Sequence, residues 1–337
     1  MRWQRLGVRL RLDVRTVLVC ATLALACLAT ALTALAVGDF SLSVPQVVTA
    51  VVDRSDFAHT VVVQWRMPRV LAALAFGAAL GISGAIFQSL TRNNLASPDI
   101  IGFSTGSYTG ALVVIILVGG SYLQVAAGAL AGGIATAAVV YLLTLKRGVQ
   151  GFRLVIVGIA VAAMLGSFNS WMMLTADLEV AMTAAVWGAG TLNAINWQQA
   201  GSGALLVLLL LLAFAPLARG LRQLELGDDA AHALGVPVER ARLTLIGIGV
   251  ALIATVTAAA GPITFVALAA PQIARRLTRT AGVSILPTAL LGALLLCASD
   301  LVAQHALSAE LPVGVVTVVI GGLYLIWMLV HEARKRL

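Results

Sequence analysis

Lysine is almost missing from this 337-residue chain: Lys146 and Lys335 are its two lysines, against a total of 22 Lys and Arg. Lys146 follows Leu145 and Lys335 follows Arg334, so neither can complete the Gly-Lys-Ser/Thr loop that grips nucleotide phosphates. Any energy taken from ATP must come from another chain. Carboxylates are equally scarce inside the apolar runs. Asp300 is the exception, near the outer end of its run, where water or a neighbouring helix can satisfy it. An ion-coupled carrier ordinarily keeps acids or histidines at mid-membrane, because charge there is expensive and persists for function. The three cysteines, Cys20, Cys27 and Cys297, have no paired spacing, and His59, His232, His305 and His331 form no H-x-x-x-H pair. No metal site and no cofactor is therefore expected. No His, Asp or Ser cluster at a common depth suggests a membrane enzyme. Low-complexity tails, Ser/Pro linkers and soluble insertions are also lacking, so residues 1–337 are read as a single domain.

What remains is apolar: 60% of the residues are hydrophobic and 11% are charged, where soluble domains carry about a quarter charged. Mean hydropathy is +1.00. Runs of about 20 residues, the length that crosses a bilayer, recur throughout, which predicts an all-α polytopic membrane protein. They lie near Val17–Val37, Val70–Leu90, Ile100–Val118, Leu123–Leu145, Leu154–Leu174, Ala204–Leu217, Leu243–Ala260, Val283–Ala303 and Val313–Val330. The first run resembles a signal peptide, with Ala34-Leu35-Ala36 like a cleavage site, but it exceeds the usual signal core and more spans follow, so a retained helix is expected. Ile263–Ile273 is short and holds Pro271, and Ala181–Ile195 is short and polar. Such pieces inside a membrane protein are often half-helices lining a cavity. Counting Ile263–Ile273, about ten transmembrane helices are predicted.

The net charge of +8 could suggest a nucleic-acid partner. In a membrane protein the surplus is read instead as topogenic, since cytoplasmic loops collect Arg and Lys. Ten crossings with the first leaving the cytoplasm place every basic residue inside except Arg54, Arg66 and Arg69, and put both termini in the cytoplasm. Glycines at Gly77, Gly81 and Gly84, and at Gly102, Gly106 and Gly110, let helices approach closely, within the chain or at a subunit interface.

The longest inside loop, about 219–242, reads Leu224-Glu225-Leu226-Gly227-Asp228-Asp229-Ala230-Ala231-His232-Ala233-Leu234-Gly235-Val236-Pro237. Asp228 is expected to cap a short helix, Asp229 to favour its positive end, Gly235 to close it and Pro237 to prevent its continuation. A two-turn helix outside the membrane would leave Ala230, Ala231, Ala233 and Leu234 as a small-residue surface, either for a groove on a partner or for packing on its own bundle.

This loop resembles the coupling segment of FecCD-type permeases, which serve binding-protein-dependent ABC importers of iron-siderophores and cobalamin. Arg66-Met67-Pro68-Arg69-Val70-Leu71-Ala72, Gly84-Ala85-Ile86-Phe87-Gln88-Ser89-Leu90 and Asn93-Asn94-Leu95-Ala96-Ser97-Pro98-Asp99-Ile100-Ile101-Gly102 look like the family's second helix and the turn after it. Gly261-Pro262-Ile263-Thr264-Phe265-Val266, Ala270-Pro271-Gln272-Ile273-Ala274-Arg275 and Leu311-Pro312-Val313-Gly314-Val315 continue the match to the carboxyl end. Leu90-Thr91-Arg92-Asn93, Gly148-Val149-Gln150-Gly151-Phe152-Arg153-Leu154 and Val186-Trp187-Gly188-Ala189-Gly190 are similar to the ferric-enterobactin type.

The resemblance implies a type II ABC importer permease fold in a bacterial cell (inner) membrane. It implies two copies of an ATP-binding subunit, a second related permease chain, a solute-binding protein, and no nucleic acid. Enterobactin-like members pair two different permeases, which favours a heterodimer over a homodimer. Gly227, Asp228, Asp229, Ala230, His232, Leu234 and Gly235 would meet the ATPase. Arg66 and Arg69 would meet acidic residues of the binding protein, while Gln304 stands where the cobalamin member has a third docking arginine. Asn93, Leu95, Gly151 and Phe152 would narrow the cytoplasmic exit, although the family's hydroxyl residues at the last two positions are replaced. The expected activity is alternating-access import of a ferric, catecholate-like siderophore, with no bond chemistry in this chain. The competing readings are a cobalamin or haem permease of the same family and an ion-coupled carrier.

Overall fold

The computed structural model describes residues 13–54, 56–144, 151–193, 195–306 and 310–336, and among them every regular element is helical. In chain order these are α1 (Val14–Ala36), α2 (Val44–Val52), α3 (Phe57–His59), a π-helical turn (Thr60–Arg66), α4 (Met67–Thr91), α5 (Phe103–Leu117) and α6 (Tyr122–Thr144). Then come α7 (Gly151–Thr175), α8 (Leu178–Gly188), α9 (Trp197–Phe214), α10 (Ala218–Glu225) and α11 (Asp228–Ala233). The last four are α12 (Val238–Ala260), α13 (Val266–Thr278), α14 (Ile285–His305) and α15 (Val313–Arg336).

Seven of the described helical stretches are long and apolar enough to cross a membrane: Val14–Ala36, Phe57–Thr91, Tyr122–Thr144, Phe152–Thr175, Trp197–Glu225, Val238–Ala260 and Ile285–His305. Three shorter apolar helices, Phe103–Leu117, Leu178–Gly188 and Val313–Met328, accompany them. The arginines of residues 1–12 and the stretch from Lys146 to Gln150 lie outside the described residues.

α4 and α12 are buried over most of their lengths, whereas α1, α7 and α9 bury little of theirs. That division follows from composition. α4 carries small residues all round and lets neighbours close in on every side, while α7 and α9 present Leu, Met, Ile and Phe outward, the pattern of a helix facing lipid tails.

Both glycine stripes serve contacts inside the chain. A Cβ at Gly77 would strike the Gly292 carbonyl of α14, one at Gly81 the Thr288 carbonyl at 2.7 Å, and one at Gly84 the Ala267 carbonyl of α13. Pro271 sits four residues after Ala267 and has no N–H to give that carbonyl, so the oxygen freed by the proline is the one on which Gly84 packs. Gly106 and Gly110 abut Thr136, Gly128 and Gly132 on α6, and Gly102 abuts α7.

Candidate functional site

One end of the bundle, the one expected to face the cytoplasm, is built from α10, α11 and the turn after α4. α10 buries Leu221 and Leu224 and leaves Arg219 and Arg222 exposed. Gly227 then takes φ +117, a conformation that L side chains rarely adopt, and lets the chain turn into α11. α11 has the predicted place and length, but Asp228 does not cap it. Gly227 is the N-cap and Asp228 is the first helical residue. Its carboxylate instead accepts from Arg92 Nη2 at 2.7 Å and from Arg242 Nη2 at 2.9 Å on both oxygens. Three charge-assisted contacts from two guanidiniums engage both carboxylate oxygens and leave the first N–H groups of the helix to water.

Burial pushes the Asp228 carboxyl up, but the Arg242 and Arg92 guanidiniums outweigh it and hold the group below its ordinary value. Arg92 belongs to the left-handed C-cap of α4, at φ 50, and Arg242 lies nearly buried on α12. Asp228 therefore joins α11 to the two most buried spans. Asp229 is exposed in the first turn, at the positive end of the helix. The other end closes as expected: Gly235, at φ +82, donates to His232 O, and Val236 donates to Ala231 O. These are the two bonds of a Schellman motif.

The outward face of α11 and its flanks carries His232, Ala233, Leu234 and Leu226, with Leu226 70% and Leu234 56% exposed. Ala231 points into the bundle and Ala230 is half-buried.

Asn93 and Leu95 lie in the turn after α4, where Asn93 Oδ1 accepts the Leu95 amide at 2.9 Å and Leu95 is 45% exposed. The neighbouring Asn94 ties this turn to α13, its carbonyl accepting from Gln272 Nε2 and its Oδ1 from Arg275 Nη1. Gly151 opens α7 and Phe152 follows it, 76% exposed.

At the opposite end, Arg66 and Arg69 turn to separate partners. Arg66 donates through Nη1 at 2.8 Å to Leu35 O, a carbonyl that the end of α1 leaves free, and through Nη2 at 2.8 Å to Phe40 O in the loop that follows. Arg69 forms a two-pronged pair with Asp300, Nε to Oδ2 at 2.8 Å and Nη2 to Oδ1 at 2.9 Å, and donates to Asn193 Oδ1 at 2.7 Å. Gln304 Nε2 donates to Asp300 at 2.8 Å, and Asn193 Nδ2 to Glu310 at 3.0 Å. Asp300 is thus satisfied by a neighbouring helix. The network joins α4, α14 and the connections entering α9 and α15. Asn193 and Glu310 have no local motif that marks them in the sequence. Among the described residues, no group of three or more His, Cys, Asp and Glu comes together as a metal site would require.

Residues 22–331 match the family model described as the FecCD transport family. The ferric enterobactin transport system permease protein FepG of Escherichia coli is 49% identical over 96% of this chain and 98% of its own length. The iron(3+)-hydroxamate import system permease protein FhuG of Bacillus subtilis is 36% identical over 80% of this chain and 83% of its own. A solved metal-chelate-type ABC transporter in an inward-facing conformation superposes with a TM-score of 0.84 at 30% identity, over 93% of this chain and 99% of that one.

Proposed function

The chain belongs to the FecCD transport family, and from that premise we propose that it is the membrane permease subunit of an ATP-driven importer for a ferric siderophore of the catecholate, enterobactin-like class. The observation that carries this reading is the 49% identity to a ferric enterobactin permease across nearly both full lengths. The lack of any phosphate-gripping lysine supports a separate ATPase as the energy source.

The whole chain acts as one permease domain of the type II importer fold. Ten crossings are α1, α4, α5, α6, α7, α9, α12, α13, α14 and α15, with α8 a half-helix at the outer face. Both termini then lie in the cytoplasm of a cell whose inner or sole membrane holds the protein. Two such permeases, this chain and a related one, enclose the path, and two ATPase subunits sit below. The Gly227–Gly235 segment is the coupling element. The exposed Leu234 within it and Leu226 just before it support docking into an apolar groove, and the Arg92–Asp228–Arg242 joint would hand a push on α11 to α4 and α12. Asn93, Leu95, Gly151 and Phe152 are proposed to narrow the exit.

Arg66 and Arg69 are proposed to serve binding-protein docking under a condition. A carboxylate on that protein must compete with Asp300 for Arg69 and with main-chain carbonyls for Arg66. A bulky anionic chelate would pass between the two permeases along weakly polar walls, iron staying inside its chelator. The testing experiment is extraction of the tagged chain in mild detergent with identification of the copurifying proteins. An ATPase and a second permease are expected; this permease with an ATPase and no second permease would replace the heterodimer by a homodimer, and absence of any ATPase after crosslinking would refute the importer.

A further inference from the structure

Glu225 ends α10, three residues before α11 begins. A carboxylate in that place opposes the negative end of its own helix dipole, so its partners have to compensate. Oε1 accepts the hydroxyl of Ser89 at 2.6 Å and the backbone N–H of Val283 at 3.3 Å. Ser89 is buried near the end of α4, and Val283 is buried just ahead of α14. Oε2 lies against Gly282, where an added Cβ would stand 2.6 Å away. The charge thus sits at the positive end of α14, whose N-terminus has no side-chain cap.

Beside this contact is a cavity of about 190 Å³ with a mostly polar lining that includes Gln88, Asn94, Glu225 and Arg275. Gln88 is 2% exposed and its Oε1 has no partner among the described residues, which suits the space to ordered water rather than to apolar packing. On this side α10 packs Leu221 and Leu224 into the core, and Glu225 adds a polar tie to Ser89 of α4 and to Val283 ahead of α14. α4 and α14 are themselves in backbone contact at Gly77 and Gly292, so what moves one moves the other.

We propose that Glu225 is a positioning residue for coupling, transmitting displacement of the 219–242 segment to the α4–α14 pair, as Asp228 transmits it to α4 and α12. The proposal rests on the reading that an ATPase engages this segment. Glu225 holds one donor from α4 and one from the residues leading into α14, so displacement of the segment pulls on both.

The complete transporter, with both permeases, the ATPase and the binding protein, would be reconstituted in proteoliposomes with radiolabelled ferric enterobactin as the probe. Uptake per ATP hydrolysed would be compared for wild type, Glu225→Gln, Glu225→Ala, Ser89→Ala and the Glu225→Ala/Ser89→Ala double variant. Glu225→Ala is expected to lower that ratio roughly ten-fold, within the range of energetic coupling between sites. Glu225→Gln, still able to accept from Ser89, should lose less, and the double variant should be no worse than Glu225→Ala because the two changes cut one link. An unchanged ratio in Glu225→Ala, or additive losses in the double variant, would overturn the assignment. If Glu225→Ala fails to assemble with the ATPase, an unchanged ratio in both Glu225→Gln and Ser89→Ala would overturn it equally, and a lowered one would support it. Failure of the wild-type complex to import the probe with ATP would count against the importer reading itself, not against Glu225.

Discussion

Replacing Asp300 by Ala is expected to destabilise the Arg69 end of the bundle by about 3 kcal/mol. The Asp300 side chain is 4% exposed and accepts two bonds from Arg69 and one from Gln304. Its removal leaves the Arg69 guanidinium, itself 12% exposed, with Asn193 as its acceptor. Stripping one partner from a buried pair costs roughly 3–5 kcal/mol, because the remaining charge is desolvated without compensation. The surviving bond to Asn193 and the slight exposure of Arg69 set the expectation at the lower edge. Removing both charges together, as Arg69→Met/Asp300→Leu, should cost less than about 1 kcal/mol, since the desolvation penalty disappears with the pair.

Cys297 stands one turn before Asp300 on α14 and is 2% exposed, and Cys27 packs against the same helix and is 9% exposed. A thiol-reactive fluorophore therefore reports opening of this region on heating at a fixed scan rate. The Asp300→Ala midpoint should fall by roughly 6 °C and that of the double variant by far less. Equal midpoints for wild type and Asp300→Ala would refute the reasoning, as would a double variant as unstable as the single. The same geometry changes how a docking test must be read: Arg69→Glu would set two carboxylates together, so lost affinity for the binding protein would mix docking with damage.

Asp229→Lys alters an exposed acid with no side-chain bond to the bundle among the described residues, so it should reduce ATPase-coupled uptake several-fold and leave stability within about 0.5 kcal/mol of wild type; normal uptake would remove Asp229 from the contact. Leu226→Ser with Leu234→Ser should weaken recovery of the ATPase in detergent, and undiminished recovery would place the docking surface elsewhere. Gly84→Ala drives a methyl into the Ala267 carbonyl and should cost about 1–3 kcal/mol by overpacking, read as a lowered midpoint that a neutral result would contradict. Because the Asp228 carboxyl titrates below its ordinary value near 3.9, its pairing is complete above that value and is lost only as pH falls through the depressed one. Uptake per ATP should show no step from Asp228 between about pH 5 and pH 8, and comparison with Asp228→Asn detects one.

The long spans were legible because a membrane helix advertises itself by length and composition, and α11 because Gly235 and Pro237 punctuate it. α13 could be anticipated as a short, proline-bearing piece, but not the pairing of its freed Ala267 carbonyl with Gly84, which depends on how α4 lies against it. The Asp228 expectation failed on a long-range fact. Arg92 lies 136 residues earlier in the chain, and only the fold brings it to compete for the carboxylate. The Arg69–Asp300 pair, separated by 231 residues, was equally invisible. Local pattern placed Arg66 and Arg69 at the outer end without saying that their donors would be taken up inside the chain. α2 and the π-helical turn ahead of α4 escaped notice because neither is long enough to stand out beside the spans.

The most direct test of the account is uptake of radiolabelled ferric enterobactin by the reconstituted complex, with ATP supplied on the ATPase side and ion gradients set independently. The account predicts uptake that requires ATP hydrolysis and the binding protein and that survives ionophores. Uptake that continues without ATP and collapses with a proton or sodium gradient would contradict it.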